Sequence, residues 1–148
     1  MAVNPIPEGY HAVTPYLIAR QAREVLEFMK RAFNAQERFT MDNDDGTLGH
    51  AEVQIGDSVV MLADANAQWP AMSSAIHLYV EDCDAIYRRA LEAGGTSVQE
   101  VANQFYGDRS GGVRDPAGNL WWISTHVEDV PDDEMERRAA EFRAQTPA

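Results

Sequence analysis

The chain has little cysteine, few basic residues and no long apolar run, and each shortage excludes a class of protein. Cys83 is the only cysteine, so the chain can form no internal disulfide and no multi-cysteine zinc site. No apolar run approaches the roughly eighteen residues that a membrane-spanning helix needs. The first residues lack a basic segment followed by an apolar one, which predicts that the chain is not exported and is cytoplasmic.

The charge balance is strongly acidic. Lysine and arginine number 12 against 24 aspartate and glutamate residues, which gives a formal net charge of −12. Nucleic-acid binding depends on cationic contacts with phosphates, so we expect no nucleic-acid partner. The lack of a long apolar run likewise predicts no membrane partner. The sequence also lacks GxSxG, GxxxxGKS/T and GxGxxG motifs, which argues against serine hydrolases, P-loop enzymes and dinucleotide-binding enzymes.

The pattern of apolar residues predicts a single domain, residues 1–148, built from two similar units. Strand-forming segments and amphipathic helical segments follow the order strand, helix, strand, strand, strand, and this order occurs twice. Unit one spans residues 10–64, with strands at 11–18, 37–42, 49–55 and 58–64 and a helix at 20–33. Unit two spans residues 74–127, with strands at 75–80, 96–102, 111–115 and 119–126 and a helix at 83–93.

A constant offset between the units indicates an internal duplication. Ile18 matches Val80 and Gly56 matches Gly118, both with a displacement of 62 positions. Residues 131–145 form an acidic helical tail whose helix starts at Pro131 or Asp132 and runs through Phe142. This helix is predicted to pack on the domain edge or on a second subunit.

Two units of this kind in one short chain resemble the vicinal oxygen chelate superfamily, which includes glyoxalase I, extradiol dioxygenases and bleomycin-resistance proteins. The segments GHAEVQIGDSVVMLAD, HLYVEDCDA and QFYGDRSGGVRDPAGNLWWISTHVED are similar to its PhnB-like branch. The resemblance implies an α+β fold of two tandem βαβββ units that form curved mixed sheets with the helices outside. It also implies a homodimer whose clefts lie between half-sheets.

Metal-dependent members of that superfamily place one ligand on the first strand and one on the last strand of each unit. The matching positions here are Thr14, Met61, Ala75 and Trp122, with Val60 in place of Met61 if the register is one residue off. Divalent metals prefer imidazole or carboxylate ligands, whereas this set offers hydroxyl, thioether, methyl and indole groups. The resemblance therefore predicts a cleft without a metal at the usual positions.

Two adjacent tryptophans, Trp121 and Trp122, stand on the last predicted strand. Neighbouring residues on a strand point to opposite faces, so the two side chains must differ in role. Because Trp122 takes the place of a metal ligand, we predict that Trp122 faces the cleft and that Trp121 packs beneath the helices. An indole wall suits a flat or apolar ligand. The alternative is that both tryptophans serve only for packing.

A replacement for the metal site is suggested by two other strands. Alternation places His50, Glu52 and Gln54 on the cleft face of one strand and His77 on the cleft face of another. His50, Glu52 and His77 are therefore candidate catalytic residues, for acid–base chemistry or as a displaced metal site with two histidines and one carboxylate. The remaining alternative is that these groups only form hydrogen bonds across strands.

The function predicted from these features is binding or sequestration of a small organic ligand in a metal-free cleft, with no cofactor. The predicted ligand contacts are Thr14, Tyr16, Met61, Tyr79, Tyr106 and Trp122. The alternative is a glyoxalase-like lyase or isomerase, or another enzyme of the superfamily, that uses His50, Glu52 and His77 with or without divalent Zn, Ni, Mn or Fe. A third candidate, an interaction module, rests only on the acidic C-terminal helix.

Several polar residues outside these sets have simpler predicted roles. His11 and His126 lie at strand ends and are expected to be solvated or capping residues. Arg109 or Arg114 can neutralise an anionic ligand group, although a surface position is the simpler expectation for both. Cys83 falls on the apolar stripe of the second helix and is expected in the core.

Overall fold

The computed structural model describes residues 2–146, which contain eight strands and three helices. Unit one comprises β1 Tyr16–Ala19, α1 Ala22–Phe33, β2 Gln36–Asp42, β3 Leu48–Ile55 and β4 Ser58–Asp64. Unit two comprises β5 Ala75–Tyr79, α2 Cys83–Glu92, β6 Thr96–Asn103, β7 Asp108–Arg114 and β8 Leu120–His126, and α3 Asp132–Gln145 follows. The predicted α+β class and the repeated element order are both confirmed.

Each unit forms a four-stranded mixed sheet. Sheet one has the order β1-β4-β3-β2 and sheet two has the order β5-β8-β7-β6. In both sheets the first strand runs parallel to the last strand, and the other neighbours are antiparallel. A parallel pair needs a crossover connection, which the intervening strands and helix supply in each unit.

The first strand is shorter than the sequence predicts, because β1 begins at Tyr16 rather than at residue 11. Pro15 has no backbone N–H to donate to a ladder, and only its carbonyl is used, accepting from Met61 N at 2.9 Å. Residues 5–14 instead form an irregular segment that lines a cavity on sheet one. We call residues 5–14 the N-terminal segment.

Helix α1 begins at Ala22, two residues later than predicted, whereas α2 begins at Cys83 as predicted. The apolar residues of α1 that recur at helical spacing are buried, namely Ala22, Val25, Leu26, Met29 and Phe33. Asp82 caps α2, because its carboxylate accepts a hydrogen bond from the backbone N–H of Ala85 at 3.1 Å. Cys83, the first residue of α2, is buried in the core.

The two units share one hydrophobic core. α1 packs against α2, and each helix covers one face of its own sheet. Phe33 of α1 contacts Trp121 of β8, with 4.8 Å between ring centroids, and Trp121 has no exposed surface. Trp121 is therefore a core residue, as predicted. The opposite faces of the two sheets, called here the outer faces, turn away from this shared core.

A buried carboxylate organises the turn between β7 and β8. Asp115 is 5% exposed, and its Oδ1 accepts from the backbone N–H groups of Ala117 and Asn119 at 2.9 and 3.0 Å. Its Oδ2 accepts from Asn119 Nδ2 and from Trp121 Nε1, each at 2.9 Å. Asp115 thus connects the turn to the core indole.

Helix α3 packs at one end of sheet two. The ring of Phe142 lies 5.0 Å from that of Phe105, and Arg138 donates to the Phe105 carbonyl at 3.1 Å and to Glu128 at 2.7 and 3.0 Å. This position matches the predicted packing on the domain edge, whereas a contact with a second subunit stays a prediction. Within residues 2–146 no helix combines the length and apolar character needed to cross a membrane.

Candidate functional site

The outer face of sheet one carries the polar side chains that strand alternation predicts. On β3 the helix-facing residues Ala51, Val53 and Ile55 are buried. The residues between them therefore point to the outer face, where β1 and β4 contribute the cross-strand pair of Tyr16 and Met61. The outer-face residues used below are Tyr16, His50, Glu52, Gln54 and Met61.

Four side chains of this region form one hydrogen-bonded series, called here the sheet-one polar chain. The Tyr10 hydroxyl donates to one Glu52 oxygen, and the other Glu52 oxygen lies 2.9 Å from His50 Nε2. The Tyr16 hydroxyl lies 3.0 Å from His50 Nδ1. Because an ionised carboxylate only accepts, Nε2 of His50 carries the hydrogen and Nδ1 accepts from Tyr16. The structure thus brings the predicted residues His50 and Glu52 into contact.

The contacts within the sheet-one polar chain shift the pKa values of Glu52 and Tyr10. Hydrogen bonds from Tyr10 and then from His50 lower the pKa of Glu52 below 4.5. Burial, and then the Glu52 carboxylate, raise the pKa of Tyr10 above 10.0. Glu52 is therefore held as a carboxylate and Tyr10 as a neutral donor at neutral pH.

Replacing Tyr10 with phenylalanine is expected to raise the pKa of Glu52 toward 4.5, because the Tyr10 hydroxyl contributes most to lowering it. The folded-state pKa lies below the unfolded-state value, so ionised Glu52 stabilises the fold above about pH 4.5 and this contribution is lost as the pH falls through the folded-state pKa. Tyr10→Phe should therefore lose less stability than the wild type on acidification. Carboxyl ¹³C NMR titration and denaturation at each pH measure both effects.

A matched control is Tyr16→Phe, because the Tyr16 hydroxyl contacts His50 and not Glu52. In this variant the Glu52 pKa should stay close to the wild-type value. If Tyr10→Phe and the wild type titrate alike at Glu52, the assignment of the Tyr10 hydrogen bond is wrong.

The N-terminal segment encloses a cavity of about 490 Å³ against sheet one. Arg38 holds this segment in place, since its guanidinium stacks on the Tyr10 ring at 5.2 Å and donates to the Glu8 carbonyl at 3.3 Å. The cavity lining includes Pro5, Pro7, Tyr10, Thr14, Glu52 and Met61. The predicted contacts Thr14 and Met61 therefore share a cavity with Glu52. The sequence did not indicate Tyr10, because it precedes every periodic pattern.

The outer face of sheet two carries a tryptophan that packs against a glycine of the neighbouring strand. Trp122 of β8 is partly exposed and pairs with His77 of β5. A Cβ at Gly112 would lie only 2.7 and 2.9 Å from two carbons of the Trp122 ring, so the missing side chain at this position makes room for the indole. Trp122 is thus on the outer face, as alternation predicts.

A second cavity of about 170 Å³ opens beside this indole, and we call it the Trp122 slot. It is lined by His77, Gln99, Gln104, Tyr106, Ser110 and Trp122. Two of the predicted ligand contacts, Tyr106 and Trp122, therefore line one cavity together with His77. The glutamines and the serine were not among the predicted contacts, since Gln99 lies on irregular β6, Gln104 in the loop that follows it and Ser110 on β7, and the sequence left the registers of these strands open.

A buried carboxylate beside the slot was also missed. Asp108 is 4% exposed, accepts from the Tyr79 hydroxyl at 2.7 Å and lies 2.9 Å from His126 Nδ1. His126 Nε2 lies 2.7 Å from Asp129. Hydrogen bonds to Asp108 and then to Asp129 raise the pKa of His126 above 6.5. The predicted contact Tyr79 is thus engaged with Asp108, and its ring lies 4.8 Å from His77.

The two candidate arginines bind other parts of the protein. Arg109 forms a bidentate ion pair with Asp84 at 2.7 and 2.9 Å. Arg114 donates to the Gly118 carbonyl at 3.0 Å. Neither lines the cavity of sheet one or the Trp122 slot.

Within one chain His77 lies apart from His50 and Glu52. His50 and Glu52 lie on sheet one, whereas His77 lies on sheet two and lines a different cavity. Alternation assigns each side chain to a face of its own sheet, but it contains no information on how two sheets are oriented. One chain therefore does not bring these three residues together.

The residues at the usual ligand positions do not fit a divalent metal. The cross-strand pairs on the outer faces are Tyr16 with Met61 and His77 with Trp122, so the first-strand neighbours are two residues later than the expected Thr14 and Ala75. This set contains a single imidazole and no carboxylate. In residues 2–146 no three histidine, cysteine, aspartate or glutamate side chains are grouped to hold an ion.

Comparison with known proteins identifies the family. The profile of the Glyoxalase/Bleomycin resistance protein/Dioxygenase superfamily matches residues 10–123. An uncharacterized protein of Mycobacterium bovis is 36% identical over 147 residues, which cover 92% of this chain and 94% of that protein. A similar protein of Mycobacterium tuberculosis is also 36% identical, with 92% and 84% coverage. The chain belongs to this superfamily.

Solved structures show the same fold. TioX from Micromonospora sp. ML1 superposes with a TM-score of 0.67 at 22% identity and covers 79% of this chain and 99% of its own. A glyoxalase/bleomycin resistance protein/dioxygenase family enzyme from Burkholderia phytofirmans PsJN has a TM-score of 0.63 at 16% identity, with 77% and 97% coverage. At these identities the likeness concerns the fold, and fold alone does not determine function.

Proposed function

We propose that this member of the superfamily binds or sequesters a small organic molecule on the outer faces of its sheets, without a metal ion. The observation that carries the proposal is the partly exposed Trp122 indole, which packs against Gly112 and lines an open cavity. A large aromatic ring left at a cavity wall supplies stacking area and one N–H donor. Trp121, its neighbour, is by contrast fully buried in the core.

The proposed binding unit is a homodimer. Within one chain the outer faces turn away from the shared core, so each face is an open half-site. The outer edge of β5 has no strand neighbour among the described residues, and a groove of about 1320 Å³ runs between the units beside it. A second copy that places its sheet two over sheet one of the first would close both half-sites.

Assignment to the PhnB-like branch and a cytoplasmic location stay predictions, as does the absence of nucleic-acid and membrane partners.

The proposal is tested by calorimetric titration of the purified protein with a library of aromatic and cationic drugs and metabolites, with sedimentation to measure its oligomeric state. We expect a dimer, at least one compound bound with one equivalent per chain, and weaker binding in Trp122→Ala. A monomer that binds no compound would overturn the proposal. Binding that survives unchanged in Trp122→Ala would remove the indole from the site.

A second candidate function is proton-transfer catalysis of the glyoxalase-like lyase or isomerase type, and the sheet-one polar chain favours it. His50 presents an Nδ1 acceptor to Tyr16, while Glu52 fixes the tautomer through Nε2. In a dimer built as above, His77 of sheet two would approach His50 and Glu52 of the partner's sheet one. The same arrangement would be needed for a displaced divalent metal.

Elemental analysis of protein purified without chelator discriminates between the two candidates. The binding function predicts substoichiometric Zn, Ni, Mn and Fe in the wild type. Stoichiometric metal that disappears in both His77→Ala and His50→Ala would instead support the enzyme. The control is His11→Ala, because His11 belongs to the N-terminal segment and not to the proposed ligand set.

A further inference from the structure

The Trp122 slot has the dimensions of a small ring system. Its volume is about 170 Å³, and because it is open to solvent a bound ring would remain partly exposed. One wall is the Trp122 indole, whose six-membered ring packs closely against Gly112. A flat aromatic wall next to a narrow space favours a planar ligand.

The remaining lining of the slot is polar and almost uncharged. No aspartate, glutamate, lysine or arginine lines it. The neighbouring Asp108 is buried, and its two oxygens are occupied by Tyr79 and His126. A cationic ligand would therefore find no free carboxylate here, and an anionic ligand would find no arginine or lysine.

The polar groups of the slot include both donors and acceptors. Ser110 Oγ accepts from Ser124 Oγ at 2.8 Å, which leaves the Ser110 hydroxyl hydrogen free to donate. Gln104 Nε2 donates to the Ala102 carbonyl at 3.3 Å, which leaves its side-chain oxygen as an acceptor. Gln99 is exposed and offers both an amide N–H and a carbonyl. A ligand edge that carries one donor and one acceptor can satisfy such a set.

We propose that the Trp122 slot binds an uncharged planar heteroaromatic ring that stacks on the Trp122 indole and presents a hydrogen-bond donor and acceptor to Gln99, Gln104 and Ser110. This inference rests on the proposed function and specifies the chemical class of its ligand. Gly112 acts as a positioning residue, because any side chain there would lift the indole from the sheet and narrow the slot.

Three probes of similar shape distinguish the contributions of ring stacking, of hydrogen bonds to the ligand edge and of ligand charge to the affinity. Quinazolin-4-one is a neutral fused bicycle with an N–H donor and a carbonyl acceptor, naphthalene lacks the polar edge, and N-methylquinolinium carries a positive charge. Dissociation constants are measured on the full-length protein by ¹H–¹⁵N NMR, following the Trp122 indole N–H and the Gln99 and Gln104 side-chain amides. We expect quinazolin-4-one to shift these signals and to bind roughly tenfold more tightly than the other two probes.

Variants test the two recognition elements separately. Gly112→Ala is expected to weaken quinazolin-4-one binding by about tenfold, since stacking is lost, with the melting temperature confirming a folded chain. Trp122→Phe makes the same test with a smaller ring if the alanine variant does not fold. Gln99→Ala should bring quinazolin-4-one and naphthalene to similar affinities. The control is Gln68→Ala, in the exposed loop between the units, which should leave the affinity for each of the two probes unchanged.

Three results would overturn the inference. One is tighter binding of N-methylquinolinium than of quinazolin-4-one. Another is unchanged quinazolin-4-one affinity in both Gly112→Ala and Trp122→Phe. The third is a library compound that shifts the NMR signals of Tyr10 and Met61 on sheet one but not the signal of Trp122. This result would place the ligand outside the Trp122 slot, while the proposed binding function would stand. Failure of the proposed function itself would be distinguished by a monomer that binds no compound of any class.

Discussion

Trp121→Ala is expected to lower the free energy of unfolding by about 3–5 kcal/mol, because the side chain is fully buried and its removal leaves a large cavity. The substitution also removes the contact with Phe33 and the hydrogen bond from the indole to Asp115. Since total stabilities of such domains are about 5–15 kcal/mol, the loss should lower the melting temperature by about 10 °C. Urea denaturation and a thermal scan measure both quantities.

The neighbouring residue provides a matched control. Trp122→Ala removes the same side chain from the outer face, where it is partly exposed, and should change the free energy of unfolding by about 1 kcal/mol or less. Ligand binding should respond in the opposite way, being lost in Trp122→Ala. Equal destabilisation by the two substitutions would contradict the assignment of the two faces.

Asp115→Ala is the second large effect, with an expected loss of about 3–5 kcal/mol of unfolding free energy. The carboxylate accepts four hydrogen bonds, two from backbone N–H groups and two from the Asn119 and Trp121 side chains. Its removal leaves buried donors without partners, and each such donor costs more than a lost exposed hydrogen bond. The measurement is chemical denaturation at neutral pH.

The corresponding hairpin of unit one supplies the control for this prediction. Asp57 lies in the turn between β3 and β4, is exposed and accepts only from Ser58 Oγ at 3.1 Å. Asp57→Ala should therefore change stability by no more than about 0.5 kcal/mol. A similar loss of unfolding free energy in both variants would contradict the assigned role of the Asp115 hydrogen bonds.

The effects of Asp115→Ala and Trp121→Ala on the free energy of unfolding should not add in the double variant, because the two side chains share a hydrogen bond.

Much of the candidate site was predictable because strand periodicity assigns faces. The outward position of His50 and Glu52 and the opposite directions of Trp121 and Trp122 follow from alternation within one strand. The hydrogen bond between His50 and Glu52 is a contact of residues two apart, so it too has a local origin. These predictions required no knowledge of the rest of the chain.

The partners of these residues were not predictable in the same way. Tyr10 reaches Glu52 across 42 positions, and Tyr79 reaches Asp108 across 29 positions. The role of Gly112 depends on where the ring of Trp122 lies on the neighbouring strand. No local pattern contains such distances, because they are set by strand register and by the path of an irregular segment.

The amino-acid sequence by itself determined the two βαβββ units, the buried faces of α1, β3 and β8, and the acidic character of the protein, because apolar periodicity and charge are local properties of the chain. Only the tertiary structure decided that the outer faces belong to two separate sheets on one shared core, which places His77 apart from His50 and Glu52 within the chain. The physical reason is that α1 and α2 bury their apolar stripes against each other in one core, and this packing orients both sheets at once.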